Sequence, residues 1–197
     1  MYRWWLDLEN QLQEVSGNQK FSQYQNGKTG ANLQKGRGSV LSKDITCSGI
    51  IEIGENCMIG HGVILRGTVR IGDNVRLGYG VEVKDSVIRS NSTIGPLCYL
   101  GNSLVEEDVY LGALVRTSNH RLDRATVHSW NGECFEDTKR EKLGAWIRSK
   151  ASLGIGIIIL PGPIIPADSI FEPNLVIKKN YPSGIYRNFQ QIVQESI

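Results

Sequence analysis

Two adjacent polar residues, Asn119 and His120, are the side chains of this 197-residue chain best suited to acid–base chemistry. They lie in a polar stretch from about 117 to 142. An imidazole titrates near neutrality and can take a proton from a hydroxyl or an amine. The alternative is a solvated loop histidine that hydrogen-bonds its neighbours. We predict that His120 is a general base, with Asn119 beside it.

Two basic residues, Arg66 and Lys84, are 18 positions apart. In a structure that repeats every 18 residues they would be stacked. Two cations about 5 Å apart repel each other unless an anion lies between them. The alternative is that both side chains extend separately into water. We predict that the pair holds an anionic group.

The element that would position these residues is a six-residue repeat of apolar side chains. Six steps do not return a side chain to the same face of an α-helix, whereas a short strand that turns a corner after each repeat explains the spacing. The two runs are Leu41, Cys47, Ile53, Ile59, Leu65, Ile71, Leu77 and Val83, then Ile147, Leu153, Ile159, Ile165, Phe171 and Ile177.

Three hexapeptides close a triangular coil of 18 residues, and such coils stack at about the 4.8 Å spacing of paired strands. The pattern therefore predicts an all-β fold, a left-handed parallel β-helix. Valines also recur at the fifth position of each repeat, from Val63 to Val87, which suits packed strands. Between Ile88 and Leu111 two steps of five replace six, and we expect local bulging there.

The same pattern divides the chain into three parts. Residues 1–38 are predicted as a short helix over Tyr2 to Val15 followed by a linker, and residues 187–197 as a tail. Residues 39–186 form the predicted β-helix, with the polar stretch at 117–142 as a loop excursion that serves function or a partner contact.

Composition narrows the function classes. The formal net charge is only +2 and the basic residues are dispersed, so neither nucleic acid nor a membrane surface is expected as partner. The first 15 residues read neither as a secretory signal nor as a membrane span. The four cysteines contain no C-x-x-C pair. We expect reduced cysteines and a cytoplasmic protein.

Several motifs narrow the resemblance. VEVKDSVI from Val81, YLGNS from Tyr99, TSNHRLD from Thr117, EKLGAWI from Glu141 and ILPG from Ile159 resemble the carboxy-terminal half of sugar-1-phosphate nucleotidyltransferase/acetyltransferases, which are hexapeptide-repeat acyltransferases. TSNHRLD, Ala145-Trp146-Ile147 and ILPG also resemble maltose and xenobiotic O-acetyltransferases, in which the histidine of such a segment is the base. No glycine-rich nucleotidyltransferase signature is present, so a separate chain with that activity is a possible partner.

The resemblance implies roles for further residues. Arg66 and Lys84 would bind an acceptor phosphate, and Tyr99 and Asn119 would contact the acceptor or the acetyl group. The coenzyme A contacts that the resemblance implies are Ala113, Ile155, Lys178 and Lys179. It also implies a homotrimer. The three histidines lack the paired spacing of the zinc-dependent γ-class carbonic anhydrases, and no metal is expected.

The chain also departs from the resembled family. Pro96 stands where that family has its basic histidine, Tyr110 where an asparagine is common, and Glu172 and Pro173 where small residues adjoin the pantetheine. From these residues we predict an acetyl-coenzyme A dependent O- or N-acetyltransferase. Its acceptor would be a sugar, a sugar phosphate or a nucleotide sugar. The alternative is a sugar-nucleotide-binding or assembly module without transferase activity.

Overall fold

The structure is a computed structural model that describes residues 2–17, 22–24 and 31–188. It contains one helix within these ranges, α1 (Trp4–Gly17), and the strands are short. They are β1 (Ser22–Tyr24), β2 (Ala31–Lys35), β3 (Val40–Leu41), β4 (Thr46–Ile53), β5 (Met58–Ile59), β6 (Ile64–Ile71), β7 (Arg76–Leu77), β8 (Glu82–Ile88), β9 (Thr93–Ile94), β10 (Tyr99–Gly101), β11 (Leu104–Val105), β12 (Tyr110–Leu111), β13 (Arg116–Thr117), β14 (His128–Trp130), β15 (Phe135–Asp137), β16 (Trp146–Ile147), β17 (Ser152–Leu153), β18 (Ile158–Ile159), β19 (Ile164–Ile165), β20 (Ile170–Phe171), β21 (Val176–Ile177) and β22 (Ile185–Tyr186).

Parallel pairing of these strands builds three walls. The first wall holds β3, β5, β7, β9, β12, β17, β20 and β22. The second wall runs from the start of β4 through β6, β8, β10 and β13 to β18 and β21. The third wall joins β2 to the ends of β4, β6 and β8 and continues through β11, β16 and β19. The predicted three-sided parallel β-helix with a short N-terminal helix is confirmed.

The hexad residues point into the coil. Cys47, Leu65 and Val83 lie in register on the second wall, and Leu153 pairs with Phe171 on the first. Every predicted position from Cys47 onward is buried in one hydrophobic cluster, and Leu41 packs against that cluster half-buried. The two predicted runs therefore form one continuous core.

The predicted bulge lies in β8, where the register shifts between Arg66 and Val69. From there the coils are one residue shorter, since Ile71 pairs with Ile88 and Ile88 with Val105. The shift corrects one expectation. Ser86 takes the interior place opposite Val69, and Val87 points outward instead of filling the coil.

The coil begins earlier than we expected. β2 lies within the predicted linker, yet it pairs in parallel with the second half of β4, from Ala31 opposite Gly49 to Lys35 opposite Ile53. β1 pairs antiparallel with β2. The rest of the predicted linker, and all but two residues of the predicted tail, lie outside the described residues.

Helix α1 packs on the outer surface of the third wall. Its residues Trp4, Trp5 and Leu8 are buried against an apolar column that faces outward from the coil. The column consists of Val87, Leu104, Trp146 and Ile164. Within the described ranges no helix is long and apolar enough to cross a membrane.

The excursion leaves the coil after β13, returns before β16, and packs on the same wall. Its hairpin pairs β14 with β15. The Trp4 indole Nε1 donates to the Ser129 hydroxyl at 2.8 Å, and that hydroxyl donates to the Gly162 carbonyl at 2.6 Å. Arg3 is paired with Glu136, and Arg140 with Glu9. Helix, hairpin and third wall are therefore one packed unit.

Candidate functional site

The two predicted acceptor cations lie on the outer surface of the second wall. Arg66 pairs in register with Lys84, and Lys84 pairs with Gly101 of the next coil. The three residues therefore form one column beside the corner between the second and third walls. The predicted stacking is observed.

Each of the two cations already has a carboxylate neighbour. Arg66 contacts Glu82 Oε1 through Nε at 2.6 Å and through Nη2 at 2.5 Å. Lys84 Nζ lies 3.5 Å from Asp85 Oδ2. The repulsion between the cations is thus partly compensated without a ligand. An anion bound here would have to compete with both carboxylates.

Tyr99 and Asn119 meet above Gly101. A side-chain carbon at Gly101 would lie 2.6 Å from the Tyr99 hydroxyl and 2.9 Å from Asn119 Nδ2, so only glycine fits. Asn119 Nδ2 donates to Asn102 Oδ1 at 2.7 Å, and the same side chain hydrogen-bonds Tyr99. Burial raises the pKa of Tyr99 above its ordinary value, so its phenol stays protonated at neutral pH.

His120 follows directly in the chain and is half-buried. Its backbone forms an isolated antiparallel bridge with Lys142, the residue at which the excursion returns. Its imidazole has no hydrogen-bond partner or ion pair among the residues that the structure describes. The ring is therefore available for a proton from a ligand.

A pocket of about 250 Å³ adjoins these residues under helix α1. We call it the corner pocket. It is lined by Leu8, Glu9, Leu12, Gln13, Ser16, Thr68, Asp85, Asn102, Arg140, Lys142 and Leu143. Its position gives the N-terminal helix one side of the candidate site.

The sequence did not identify Asp85, Asn102 or Lys142 as site residues. Asp85 and Asn102 have left-handed backbone angles, φ 46° and 51°, at the same corner as Gly67 at φ 76°. Asp and Asn tolerate this conformation better than other side chains. Their spacing of 17 or 18 residues from Gly67 and from each other was the available signal. Nothing in the sequence pointed to Lys142.

The four predicted coenzyme A contacts do not lie together. Ala113 and Ile155 are stacked at the corner between the first and second walls, where Gly156 N–H donates to the Ala113 carbonyl. Lys178 and Lys179 follow β21 at the opposite edge of the second wall. Glu172, in the coil after Ile155, is paired with Arg187.

No group of three potential metal ligands occurs among residues 2–17, 22–24 and 31–188. Nearby, at the corner between the first and second walls, His61 Nδ1 lies 2.8 Å from the Ser42 hydroxyl and 3.2 Å from Asp44. The hydroxyl and the carboxylate share one ring nitrogen. This arrangement therefore lacks the separate nitrogens that a Ser-His-Asp triad uses.

Comparison with known proteins identifies the repeat. Residues 51–85 match the family model "Bacterial transferase hexapeptide (six repeats)". A curated relative, the uncharacterized acetyltransferase YaiX of Escherichia coli, is 42% identical over 113 residues, which are 57% of this chain and 49% of the relative. The chain thus spans about half the length of that relative.

Two further proteins extend the comparison. The bifunctional sugar-1-phosphate nucleotidylyltransferase/acetyltransferase of Sulfurisphaera tokodaii is 38% identical over 104 residues, 52% of this chain and 26% of the relative. The solved structure of WeeI from Acinetobacter baumannii superposes with a TM-score of 0.52 at 19% identity, covering 67% of this chain and 53% of that one. The structural match supports the fold alone. Together, the sequence matches confirm the resemblance to hexapeptide-repeat acetyltransferases that the motifs indicated.

Proposed function

We propose that this protein is an acetyl-coenzyme A dependent O- or N-acetyltransferase whose acceptor is a sugar, a sugar phosphate or a nucleotide sugar. One observation carries the proposal. The second wall brings Lys84, Tyr99 and Asn119 together at the Gly101 corner, and the unpaired imidazole of His120 follows in the chain. The names of the two sequence relatives, both acetyltransferases, support the same reaction class.

His120 acts as the general base in this mechanism. It takes the proton from the acceptor hydroxyl or amine while that oxygen or nitrogen bonds to the carbonyl carbon of the thioester. When the carbon–sulfur bond breaks, His120 returns the proton to the departing thiolate. The proton, the acetyl group and the thiol are then all accounted for.

Asn119 has a positioning role. Its amide nitrogen carries two hydrogens. One is donated to Asn102 and the other faces the Tyr99 oxygen above Gly101. We therefore assign the stabilisation of the tetrahedral oxyanion to a backbone N–H, the second of our two expectations. The protonated phenol of Tyr99 is directed by Asn119 and contacts the acceptor.

Arg66 and Lys84 are assigned to an acceptor phosphate. Their carboxylate partners, Glu82 and Asp85, hold them in place in the free protein. A phosphate with two negative charges replaces these contacts with stronger charge-assisted hydrogen bonds. Exchange of partners, rather than repulsion between the cations, is then what makes room for the acceptor.

The outer column of the second wall also suits the length of coenzyme A. From Lys84 the column passes Gly101, Ser118 and Leu160 before Lys178, because Tyr99 pairs with Arg116, Thr117 with Ile159, and Ile159 with Ile177. Four coil spacings separate the two lysines, about 19 Å. Lys178 would hold phosphate at one end, with the acetyl group near His120. Ala113 and Ile155 would border the opposite edge of this wall.

A homotrimer is part of the proposal, and a ridge at the corner between the first and second walls supports it. Leu97 and Leu114 have left-handed backbone angles, φ 59° and 64°, and are 43% and 38% exposed. A non-glycine residue in this conformation costs about 1–2 kcal/mol. Stacked beside them are Tyr79 and Ile155, also exposed. Burial against a second copy would offset both costs.

The reaction is tested by measuring thiol release from acetyl-coenzyme A with a panel of sugars, sugar phosphates and nucleotide sugars. We expect His120→Ala to lower kcat by about 100-fold or more, since a positioned general base contributes roughly 10²–10⁴. His128→Ala, an exposed histidine in the excursion hairpin, is the matched control and should retain activity. Unchanged kcat in His120→Ala would refute the assignment of the base.

The second candidate is a sugar-nucleotide-binding or assembly module. It is favoured by Pro96, whose ring stands at the ridge where the resembled family has a basic histidine. This module would bind a nucleotide sugar in calorimetry and release no thiol with any acceptor. For the trimer, sedimentation equilibrium of Leu97→Asn/Leu114→Asn should show dissociation, whereas Leu6→Gln on helix α1 should not.

A further inference from the structure

The largest groove of the described residues lies on the third wall, away from His120. We call it the aromatic groove; its volume is about 610 Å³. It opens between the excursion hairpin, the start of the chain and the last coils. Its aromatic lining consists of Tyr2, Trp130, Phe135, Trp146 and Tyr181. A groove of this size matches the sites that hold small organic ligands.

Two cations stand at this lining. The Arg148 guanidinium lies 5.0 Å from the centre of the Trp146 ring, and Lys179 Nζ lies 5.7 Å from the centre of the Tyr181 ring. Within residues 2–17, 22–24 and 31–188, neither cation is ion-paired with a carboxylate, and none of the residues lining the groove is acidic. The groove thus carries two positive charges that the described protein does not neutralise.

The aromatic lining is held in place from behind. The Trp146 indole donates to Glu106 Oε1 at 2.8 Å, and Glu106 also accepts from the backbone and the hydroxyl of Ser149. The Tyr2 hydroxyl donates to Asp7 at 2.8 Å, and its ring centre lies 5.1 Å from that of Trp146. Rings that are already fixed lose little conformational entropy when a ligand stacks on them.

We propose that the aromatic groove binds a nucleotide, with its base stacked on the aromatic lining and its phosphates at Arg148 and Lys179. Aromatic side chains bind bases of any sequence because every base has a π-face. Guanidinium and ammonium groups supply the charge-assisted hydrogen bonds that phosphates need. An uncharged apolar ligand would leave both cations uncompensated, and a bare anion would leave the rings unused.

Two sources could supply this nucleotide, and the choice between them rests on the proposed function. One is the adenosine 3′,5′-bisphosphate end of coenzyme A, and the other is the nucleoside diphosphate of a sugar-nucleotide acceptor. The groove is lined by Lys179, whereas the acceptor cations Arg66 and Lys84 lie at another corner. A nucleotide in the groove is therefore separate from the phosphate site on the second wall.

The test is isothermal titration calorimetry of the full chain with adenosine 3′,5′-bisphosphate, UDP and inorganic phosphate. Quenching of tryptophan fluorescence reports stacking on Trp130 and Trp146. We expect one of the two nucleotides to bind at least about tenfold more tightly than phosphate. Arg148→Gln/Lys179→Gln should weaken that nucleotide by about tenfold or more. Both side chains are exposed, so the variant should fold, which circular dichroism checks.

Lys150→Gln is the matched control, because Lys150 is exposed, lies two residues after Arg148 and does not line the groove. Its affinity should stay within about twofold of the original. The proposal is overturned if neither nucleotide binds, if phosphate binds equally well, or if the double variant binds as tightly. Thiol release by a protein that binds no nucleotide here would leave the transferase proposal standing and refute the groove alone.

Discussion

The second and third walls have the same interior and opposite exteriors. Both send apolar side chains into the coil at every hexad. Outward, the second wall presents Arg66, Lys84 and Tyr99 to solvent, whereas the third presents Val87, Leu104 and Trp146 to helix α1 and the hairpin. The hexad sets the core, and the residues between the hexad positions decide whether a wall meets a ligand or a covering element.

The one-residue shift in β8 produces part of this difference. On the second wall the register is unbroken from Ile64 to Arg66 opposite Lys84. After the shift, Val87 takes the outward place opposite Arg70, and Leu104 follows in the next coil. A polar outer column thereby becomes an apolar one within three strands, and α1 docks where that change occurs.

The largest effect should come from truncating an outward residue on the covered wall. Leu104 is 0% exposed beneath α1, whereas Ile158, outward on the second wall, is 44% exposed. We expect Leu104→Ala to lower the free energy of unfolding by about 2–5 kcal/mol, and Ile158→Ala by less than about 0.5 kcal/mol. Urea unfolding measures both. Equal losses would contradict the distinction between the walls.

A smaller effect should come from two glycines at different corners. Gly67 and Gly62 both have left-handed angles, φ 76° and 66°. A side-chain carbon at Gly67 would lie 2.0 Å from Asp85 Oδ1, whereas at Gly62 the nearest atom is 3.8 Å away. Each alanine variant should lose about 1–2 kcal/mol of stability.

Gly67→Ala should in addition raise KM for a phosphorylated acceptor, since it displaces the Asp85 carboxylate that lies beside Lys84. Steady-state kinetics of both variants separate the two effects. A rise in KM that is the same for Gly62→Ala would show that the Asp85 contact has no part in acceptor binding.

The smallest effect concerns pH and the attachment of the hairpin. Hydrogen bonds from Arg3 and then from Asn131 lower the pKa of Glu136. A lowered folded-state pKa contributes stability that is present above the unfolded value and is lost as pH falls through the folded one. Glu136→Gln should therefore lower Tm slightly at neutral pH, and the difference should vanish below about pH 4.

Thermal melts across pH 3–7 test this expectation. Glu141→Gln, an exposed carboxylate of the excursion with no ion pair among the described residues, serves as the control and should follow the original protein at every pH. A Tm difference for Glu136→Gln that stays constant down to pH 3 would refute a role for its ionised form.

The sequence predicted the walls because the hexad repeat carries long-range information. Residues six apart point to one interior, so Arg66 and Lys84 could be assigned to one column before any contact was known. The direction of Val87 could not be derived in the same way. Its position in the pattern fits a six-residue step, and only pairing in β8 shows that Ser86 occupies the interior instead.

The covering elements carried no such periodic signal. β2 lies in a Gly-, Gln- and Asn-rich stretch that reads as linker, yet pairing with β4 makes it a strand. The aromatic groove joins Tyr2, the hairpin and Tyr181, which are far apart in sequence and lie together only because Trp4, Ser129 and Gly162 are hydrogen-bonded in series. His120 and Asn119 were found from residue type.

The shortened coil shows how little genetic change separates the two kinds of wall. The interior places that it creates are taken by Ser86 and Ser103, whose hydroxyls donate to the carbonyls of Lys84 and Gly101. The interior thus tolerates a polar atom because the neighbouring backbone satisfies it. A difference of a single codon per coil is enough to convert a solvated surface into a platform for another chain segment, while the prism beneath keeps its shape.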